Sequence, residues 1–448
     1  MPTLPPSLRI TSISHELNAT VRVPGSKSLT NRALLIASLA NGTTHLTNAL
    51  FSDDSRYFAK ALQTLGFDVQ LDEANFSMTV TGLGGKIPAK RAELFIGNAG
   101  TAARFLSAFL TLGDGEYILD GEPRMRERPI GDLVEALTQL GAKIQSQITG
   151  HWSLVTDYSK ICPPIKITAS GLPGGKTRIA GDISSQFLSA LLMTAPYAQS
   201  PIEVELTTEL NSKPYVDMTI SIMKGFGVEI QRNGYQSFTI PLSTFHSPFA
   251  TYPIESDASA ASYFFAAPAI CGGTVKVENI SRRSVQGDVN FVDVLVQMGC
   301  EIKEDDNSIL VTRSSSLHGV DIDMRDIPDT AQTLAAIAPF ADSPTRIRGI
   351  ASARVKETDR VHATCTELAR LGVQVEEHED GMTIHPTFNL QPANIQTYND
   401  HRMAMAFSLI GLRFDGVTIE NPSCVSKTFP NFFEVLAQLQ VEGSKLES

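Results

Sequence analysis

The chain has 448 residues, more than one hydrophobic core usually supports, so two domains are expected. Apolar residues make up 42% and charged residues 19%, with a net charge of -11. That balance suits a globular protein and excludes nucleic acid as the main partner, since phosphate backbones recruit basic surfaces. A small anionic substrate is compatible, because a cleft can focus positive potential under an acidic exterior.

Met1 to Pro6 has neither the basic nor the apolar region of a signal peptide. No apolar run reaches the roughly 20 residues that span a bilayer, so no membrane contact and a cytoplasmic location are expected. The five cysteines, Cys162, Cys271, Cys300, Cys365 and Cys424, are odd in number and widely spaced. Reduced thiols are expected, with neither a disulfide framework nor a metal site.

In chain order, the first predicted element is the helix at 25–40, GSKSLTNRALLIASLA, whose head carries Lys27, Ser28 and Arg32. It is apolar nearly all round, which predicts burial. An amphipathic helix follows and stops at Gly66, then an alternating strand at 76–82. The pattern returns with a buried helix at 97–110, opened by Gly97-Asn98-Ala99-Gly100, and an outer helix stopping at Gly141. Within this second unit Arg124, Arg126 and Arg128 crowd a loop, the kind of segment that carries function. A strand is predicted at 152–157. The third unit has Ser184-Ser185-Gln186 at the head of a buried helix at 181–193, and an outer helix stopping at Gly227.

The second half repeats the design. A buried helix at 256–270 precedes an outer helix stopping at Gly299 and a strand at 308–313. A buried helix at 328–341, headed by Pro328-Asp329-Thr330, precedes the charged run Arg354 to Arg360 and an outer helix stopping at Gly372. After a strand at 381–386 come a buried helix at 399–412, headed by Asn399-Asp400-His401-Arg402, then Lys427, and a degenerate last segment at 435–443 with Gln440 in the glycine's place.

These six marks recur at spacings of 68 to 86 residues, by subtraction of their positions. An internal repeat of that length points to one supersecondary unit used six times. The expected fold is α/β, in two similar domains of three units each, with buried parallel helices shielded by sheets and outer helices. One domain would be discontinuous, 1–24 with 256–448, and the other 25–255, the chain crossing near Val23-Pro24 and Glu255-Ser256. Helix N-termini attract anions through free N–H groups and the helix dipole. If each bundle is parallel, its polar heads converge on one face, which places the expected active site in the interdomain cleft. Cations at a buried helix N-terminus oppose the dipole and make sense chiefly with an anion among them.

Taken together, PGSKSLTNR, GNAGTA, GEPRMRERPIG, GDISSQFLSALLMTAP, SKPYVDMT, DASAASYF, IPDTAQT, RVKETDR, YNDHRMAM and SKTFP resemble, in order and along nearly the whole chain, the EPSP synthase family of enolpyruvyl transferases. The resemblance implies the enolpyruvyl transferase fold, with substrates phosphoenolpyruvate and shikimate 3-phosphate and no cofactor. It implies that Lys27, Gly100, Arg128, Gln186, Arg360, Arg402 and Lys427 hold phosphoenolpyruvate. It implies that Lys27, Ser28, Arg32, Ser184, Ser185, Gln186, Ser212, Tyr215, Asp329 and Lys356 hold shikimate 3-phosphate. Asp329, Glu357 and Lys27 would handle protons. The implied reaction is addition of the 5-hydroxyl to C2 of phosphoenolpyruvate, then elimination of phosphate.

Two positions depart from the pattern: Ser352 replaces the usual Asn before RVKETDR, and Phe105 replaces the frequent Pro after Arg104. The sister family acting on UDP-N-acetylglucosamine typically has a cysteine in the loop matching Gly121 to Pro129, which has none here. A non-catalytic anion binder would be expected to lose Asp329 and Glu357. A monomer is expected, since each domain can bury its own helices.

Overall fold

A computed structural model describes residues 4–148, 151–155, 157–246, 251–313 and 315–440. The chain divides into two units, Gly25–Ile254, and the residues up to Pro24 together with those from Glu255 onward. The helices of the first are α1 (Lys27–Leu39), α2 (Asp53–Thr64), α3 (Gly100–Phe109), α4 (Gly131–Gln139), α5 (Ser185–Thr194) and α6 (Lys213–Gly225). Those of the second are α7 (Ala258–Cys271), α8 (Phe291–Gln297), α9 (Ala331–Ile337), α10 (Arg360–Arg370), α11 (His401–Arg413) and α12 (Phe432–Gln438).

Burial sorts these helices as their residue patterns dictate. Every residue of α3 and of α9 is buried, and α11 is buried from His401 to Leu412. The outer helix α2 instead buries one stripe, including Phe58, Ala59, Ala61 and Leu62. The glycines after α2, α4, α6, α8 and α10 all lie in the left-handed region, at φ from 81° to 100°. At Gly66 the reason is explicit: Gly66 N donates to Gln63 O at 3.0 Å and Phe67 N to Leu62 O at 3.1 Å. That pair of bonds ends a helix only if the residue after the cap takes positive φ, which a Cβ penalises.

Among the described residues there are six sheets, and each contains one parallel pair. In four of them a buried helix forms the crossover of that pair. Arg91–Phe95 runs through α3 to the parallel strand Asp114–Asp120, and Gly175–Ile179 through α5 to Ile202–Leu206. Asp321–Asp323 leads through α9 to Thr345–Arg348, and Ala393–Ile395 through α11 to Val417–Glu420. An outer helix and an antiparallel hairpin complete most repeats.

The chain's route through the units explains the remaining two sheets. Thr251–Pro253, at the end of its unit, pairs in parallel with Asn41–Thr47, which follows α1. Leu17–Arg22, near the beginning of the chain, pairs in parallel with Gly273–Glu278, which follows α7. The first unit thus completes its first repeat with a strand from its own far end, and the second with a strand that precedes the other unit in the chain.

The helix expected over 328–341 is shorter than its pattern suggested. Pro328–Thr330 and Ala338–Phe340 are 3-10 turns flanking α9. Pro339 has no N–H to give to the helical ladder, and the chain closes there as a 3-10 turn in which Ala341 N donates to Ala338 O at 3.1 Å. The strand expected at 152–157 is His151–Leu154, with Thr156 outside the described residues, as are 441–443 of the last segment. No helix of the described residues is long and apolar enough to cross a membrane.

Candidate active site

In the unit Gly25–Ile254 the candidate residues stand at the heads of its helices. Ser26 caps α1, its hydroxyl accepting from Leu29 N at 3.4 Å, so Lys27 and Ser28 open the helix half-buried. The Lys27 ammonium lies 3.9 Å from the Asp54 carboxylate, which is 2% exposed in the first turn of α2.

Arg32, one turn further along α1, is 1% exposed. Its Nε donates to Thr219 Oγ1 at 2.7 Å, Nη1 to Ser28 O at 3.0 Å, and Nη2 to Tyr215 O at 3.2 Å and Ser189 Oγ at 3.4 Å. The guanidinium therefore ties α1 to α5 and α6 through neutral acceptors. Burial pushes its pKa down to about 10, with Tyr215 acting the other way, so it remains a cation near neutrality. The Phe105 ring lies 5.3 Å from it, placing the residue that departs from the family pattern against Arg32.

The glycine-rich head of α3 is organised around a second pair of arginines. Arg128 Nη1 donates to Asn98 O at 3.0 Å and Asn98 Oδ1 at 3.1 Å. Arg104 Nη1 donates to Gly100 O at 3.0 Å and Nη2 to Pro129 O at 3.1 Å. A Cβ on Gly100 would come within 2.4 Å of Arg128 Nη2 and 2.8 Å of Arg104 Nη1. The missing side chain is thus the space that the guanidinium of Arg128 occupies.

Ser184 caps α5 by accepting from Gln186 N at 3.3 Å, and Gln186 Nε2 reaches Thr101 Oγ1 on α3 at 3.4 Å. Ser212 precedes α6 in the left-handed region, at φ 58°, and forms no side-chain cap bond to that helix. Arg32 accordingly holds the neighbourhoods of Ser28, Ser184, Ser185, Ser212 and Tyr215 together, and Gln186 joins them to Gly100 and Arg128.

In the other unit the structure gathers five of the six candidates into one charged network. Asp329, in the turn Pro328–Thr330, accepts from Arg402 Nη2 at 2.7 Å and Arg360 Nη1 at 3.2 Å. Glu357 accepts from Arg360 Nη2 at 2.8 Å and lies 3.8 Å from Lys427 Nζ. Asp400 caps α11 by accepting from Arg402 N at 2.9 Å, and takes Arg360 Nε at 2.7 Å. The sixth candidate, Lys356, is half-buried immediately before Glu357.

Burial pulls the Arg360 guanidinium down, yet Asp400, Glu357 and Asp329 together hold its pKa above the ordinary value. Arg402 Nη1 also reaches the Tyr263 hydroxyl at 3.4 Å. Burial pushes that phenol up to about 12 against the pull of Arg402, so it stays protonated. Here the expectation about helix-head cations needs amending. In this unit the anions beside them are the chain's own carboxylates, which offset the buried guanidinium charges without a ligand.

Sequence reasoning missed Asp54, Asn98, Arg104 and Tyr263 as partners of these candidates, and took Asp400 only as part of a helix head. Asp54 and Asp400 do carry a signal, since each is an acid at the start of a helix. Nothing local indicates which cation each one meets.

A family model described as EPSP synthase (3-phosphoshikimate 1-carboxyvinyltransferase) matches residues 11–436. The chain is 51% identical over 420 residues to the 3-phosphoshikimate 1-carboxyvinyltransferase of Sulfurovum sp., covering 94% of this chain and 96% of that protein. It is 50% identical over 429 residues to the protein of that name from Shewanella denitrificans, covering 95% and 97%. A solved structure of EPSP synthase from Acinetobacter baumannii superposes with a TM-score of 0.79 at 25% identity, covering 97% of this chain and 98% of that one. With a matching family model over nearly its whole length and relatives at half identity, the chain belongs to the EPSP synthase (3-phosphoshikimate 1-carboxyvinyltransferase) family.

Proposed function

We propose that the chain transfers the enolpyruvyl group of phosphoenolpyruvate to the 5-hydroxyl of shikimate 3-phosphate, releasing inorganic phosphate and giving 5-enolpyruvylshikimate 3-phosphate. The observation that carries this reading is the buried network in which Arg360, Arg402 and Lys427 meet Asp329 and Glu357. Addition and elimination of this kind demands fixed positive charge for a phosphate and a carboxylate, and groups that move two protons. The arginines suit the anions because a guanidinium can bond an oxyanion through two parallel N–H groups.

In the proposed sequence the 5-hydroxyl oxygen attacks C2 while C3 takes a proton, giving a tetrahedral intermediate. A proton then leaves C3 as the C2–O bond to phosphate breaks. Asp329, held by Arg402 and Arg360, is assigned to orient the 5-hydroxyl and accept its proton. Glu357 is assigned to exchange the proton at C3, with Lys27 as the alternative donor. Arg128, Arg360, Arg402, Lys427, Gly100 and Gln186 are assigned to phosphoenolpyruvate. Ser28, Arg32, Ser184, Ser185, Ser212, Tyr215 and Lys356 are assigned to shikimate 3-phosphate, Arg32 by holding Ser28 and Tyr215 in place. Each unit buries its own helices, so a monomer is part of the proposal.

Phosphate release measured with each substrate alone and with both tests the reading. Release that requires both, with product of the expected mass, is the expected result. Release from phosphoenolpyruvate alone, or none with both present, would overturn it.

A further inference from the structure

Glu367 lies on α10, two turns beyond Arg360, and its side chain is wholly buried. Its carboxylate accepts four hydrogen bonds: Arg370 Nε at 2.9 Å, Arg370 Nη2 at 3.3 Å, Gln396 N at 3.1 Å and the Tyr398 hydroxyl at 2.7 Å. Gln396 and Tyr398 belong to the segment that leads into α11 and delivers Asp400 and Arg402.

That segment is strained. Asp400 N donates to Thr397 O at 2.8 Å, closing a four-residue turn whose central residues, Tyr398 and Asn399, stand at φ 53° and 54°. Two successive positive φ values characterise mirror-image turns, where glycine and asparagine are the usual residues. Asparagine tolerates the left-handed region, and a tyrosine there needs surrounding contacts to hold it. The Tyr398 hydroxyl supplies one through Glu367. Asn421 Nδ2 fixes the next residue by donating to Asn399 Oδ1 at 3.1 Å, and Asn421 leads into the turn Pro422–Lys427 that ends on Lys427.

The segment 396–402 is therefore fastened to α10 at two points. At the helix head Arg360 grips Asp400, and seven residues on, about 10 Å along the axis, Glu367 grips Gln396 and Tyr398. The Arg360–Asp400 contact alone would let the segment pivot. Two fastenings on one rigid helix set the angle at which α11 begins, and with it the aim of Arg402.

We propose that Glu367 and Tyr398 are positioning residues for the reaction: they hold the strained turn Thr397–Asp400 so that Arg402 stays aimed at phosphoenolpyruvate. The inference rests on the assignment of Arg402 made above. Tyr398→Phe removes only the hydroxyl of an exposed ring. Glu367→Gln keeps an oxygen for that hydroxyl but sets an amide N–H₂ where Gln396 N needs an acceptor.

Steady-state kinetics with each substrate varied, alongside thermal unfolding, tests it. Each single variant should raise KM for phosphoenolpyruvate about tenfold and leave KM for shikimate 3-phosphate within about twofold. The double variant should be no worse than the more impaired single, because both changes loosen one fastening. An unchanged KM for phosphoenolpyruvate in Tyr398→Phe, an equal rise in both KM values, or additive losses would overturn the proposal. Should Glu367→Gln fail to fold, Tyr398→Phe decides alone. Arg402→Lys measured in parallel distinguishes the two layers: if it leaves KM for phosphoenolpyruvate unchanged, the assignment of Arg402 falls and the proposal with it. If Arg402→Lys is impaired and Tyr398→Phe is not, only the positioning role falls.

Discussion

Adding one methyl group at Gly100 should separate binding of the two substrates. Gly100 is the first residue of α3 and is absent from the positive-φ positions, so alanine meets no backbone penalty there. The whole effect must come from contact. The new Cβ would lie 2.4 Å from Arg128 Nη2 and 2.7 Å from its Cζ, about 1 Å closer than ordinary van der Waals contact. Arg128 cannot easily retreat, because Nη1 is bonded to both Asn98 oxygens. Relief therefore means moving the guanidinium by about 1 Å, a misplacement that costs up to roughly 10²-fold where a charged fork must meet an oxyanion. Gly100→Ala should thus raise KM for phosphoenolpyruvate about 10- to 100-fold, equivalent to some 1.4 to 2.7 kcal/mol. KM for shikimate 3-phosphate should stay within about twofold, since the displaced group is assigned to the other substrate. Melting temperature should hold or fall modestly, because crowding a buried guanidinium costs about 1 to 3 kcal/mol and alanine's helix preference offsets only part of it. Initial-rate kinetics with each substrate varied, together with calorimetry, gives all three numbers. A KM for phosphoenolpyruvate within twofold of the parent, in a folded variant, would refute the argument that Gly100 makes room for Arg128.

Three further outcomes are expected. Asp329→Ala should lower turnover by roughly 10² to 10⁴ while shikimate 3-phosphate still binds in titration calorimetry; near-normal turnover would sink the base assignment. Glu357→Gln should slow entry of solvent deuterium into the C3 methylene of phosphoenolpyruvate more than it weakens binding of either substrate, and unchanged exchange would pass that role to Lys27. Arg32→Lys should destabilise its unit by about 2 kcal/mol or more, because a single ammonium cannot satisfy Thr219, Ser28, Ser189 and Tyr215 together. An unaltered denaturation midpoint would show that those bonds contribute little.

What the sequence displayed and what it hid divide along the range of the interactions involved. Features set by a few neighbouring residues were legible. The left-handed glycines after five outer helices follow from local capping geometry, and the apolar runs mark the buried helices because burial on all sides leaves no polar face to encode. The pairings of Thr251–Pro253 and Leu17–Arg22 were not legible, since Thr251 lies 206 residues from its partner His45 and Leu17 lies 256 from Gly273, and the first strand has only three residues to carry a pattern.

The site shows the same division within single residues. Lys27 and Arg402 were visible as cations at helix heads, where an uncompensated charge opposes the dipole, and Arg360 only as the end of a charged run. The sequence could not say what compensates it. Asp54 resembles an ordinary first-turn acid and Asp400 an ordinary N-cap, and each does serve its helix in that way. Each also faces a cation from another element, Lys27 and Arg360 respectively, and that second function is a matter of tertiary placement. The consequence reaches beyond stability. A guanidinium already held by Asp400, Glu357 and Asp329 keeps its aim without substrate, so an incoming anion need not reorganise it. Under the proposed assignment, phosphoenolpyruvate would compete for Arg360 with carboxylates already in place, and Asp329 and Glu357 would be released to act on the hydroxyl and the C3 proton.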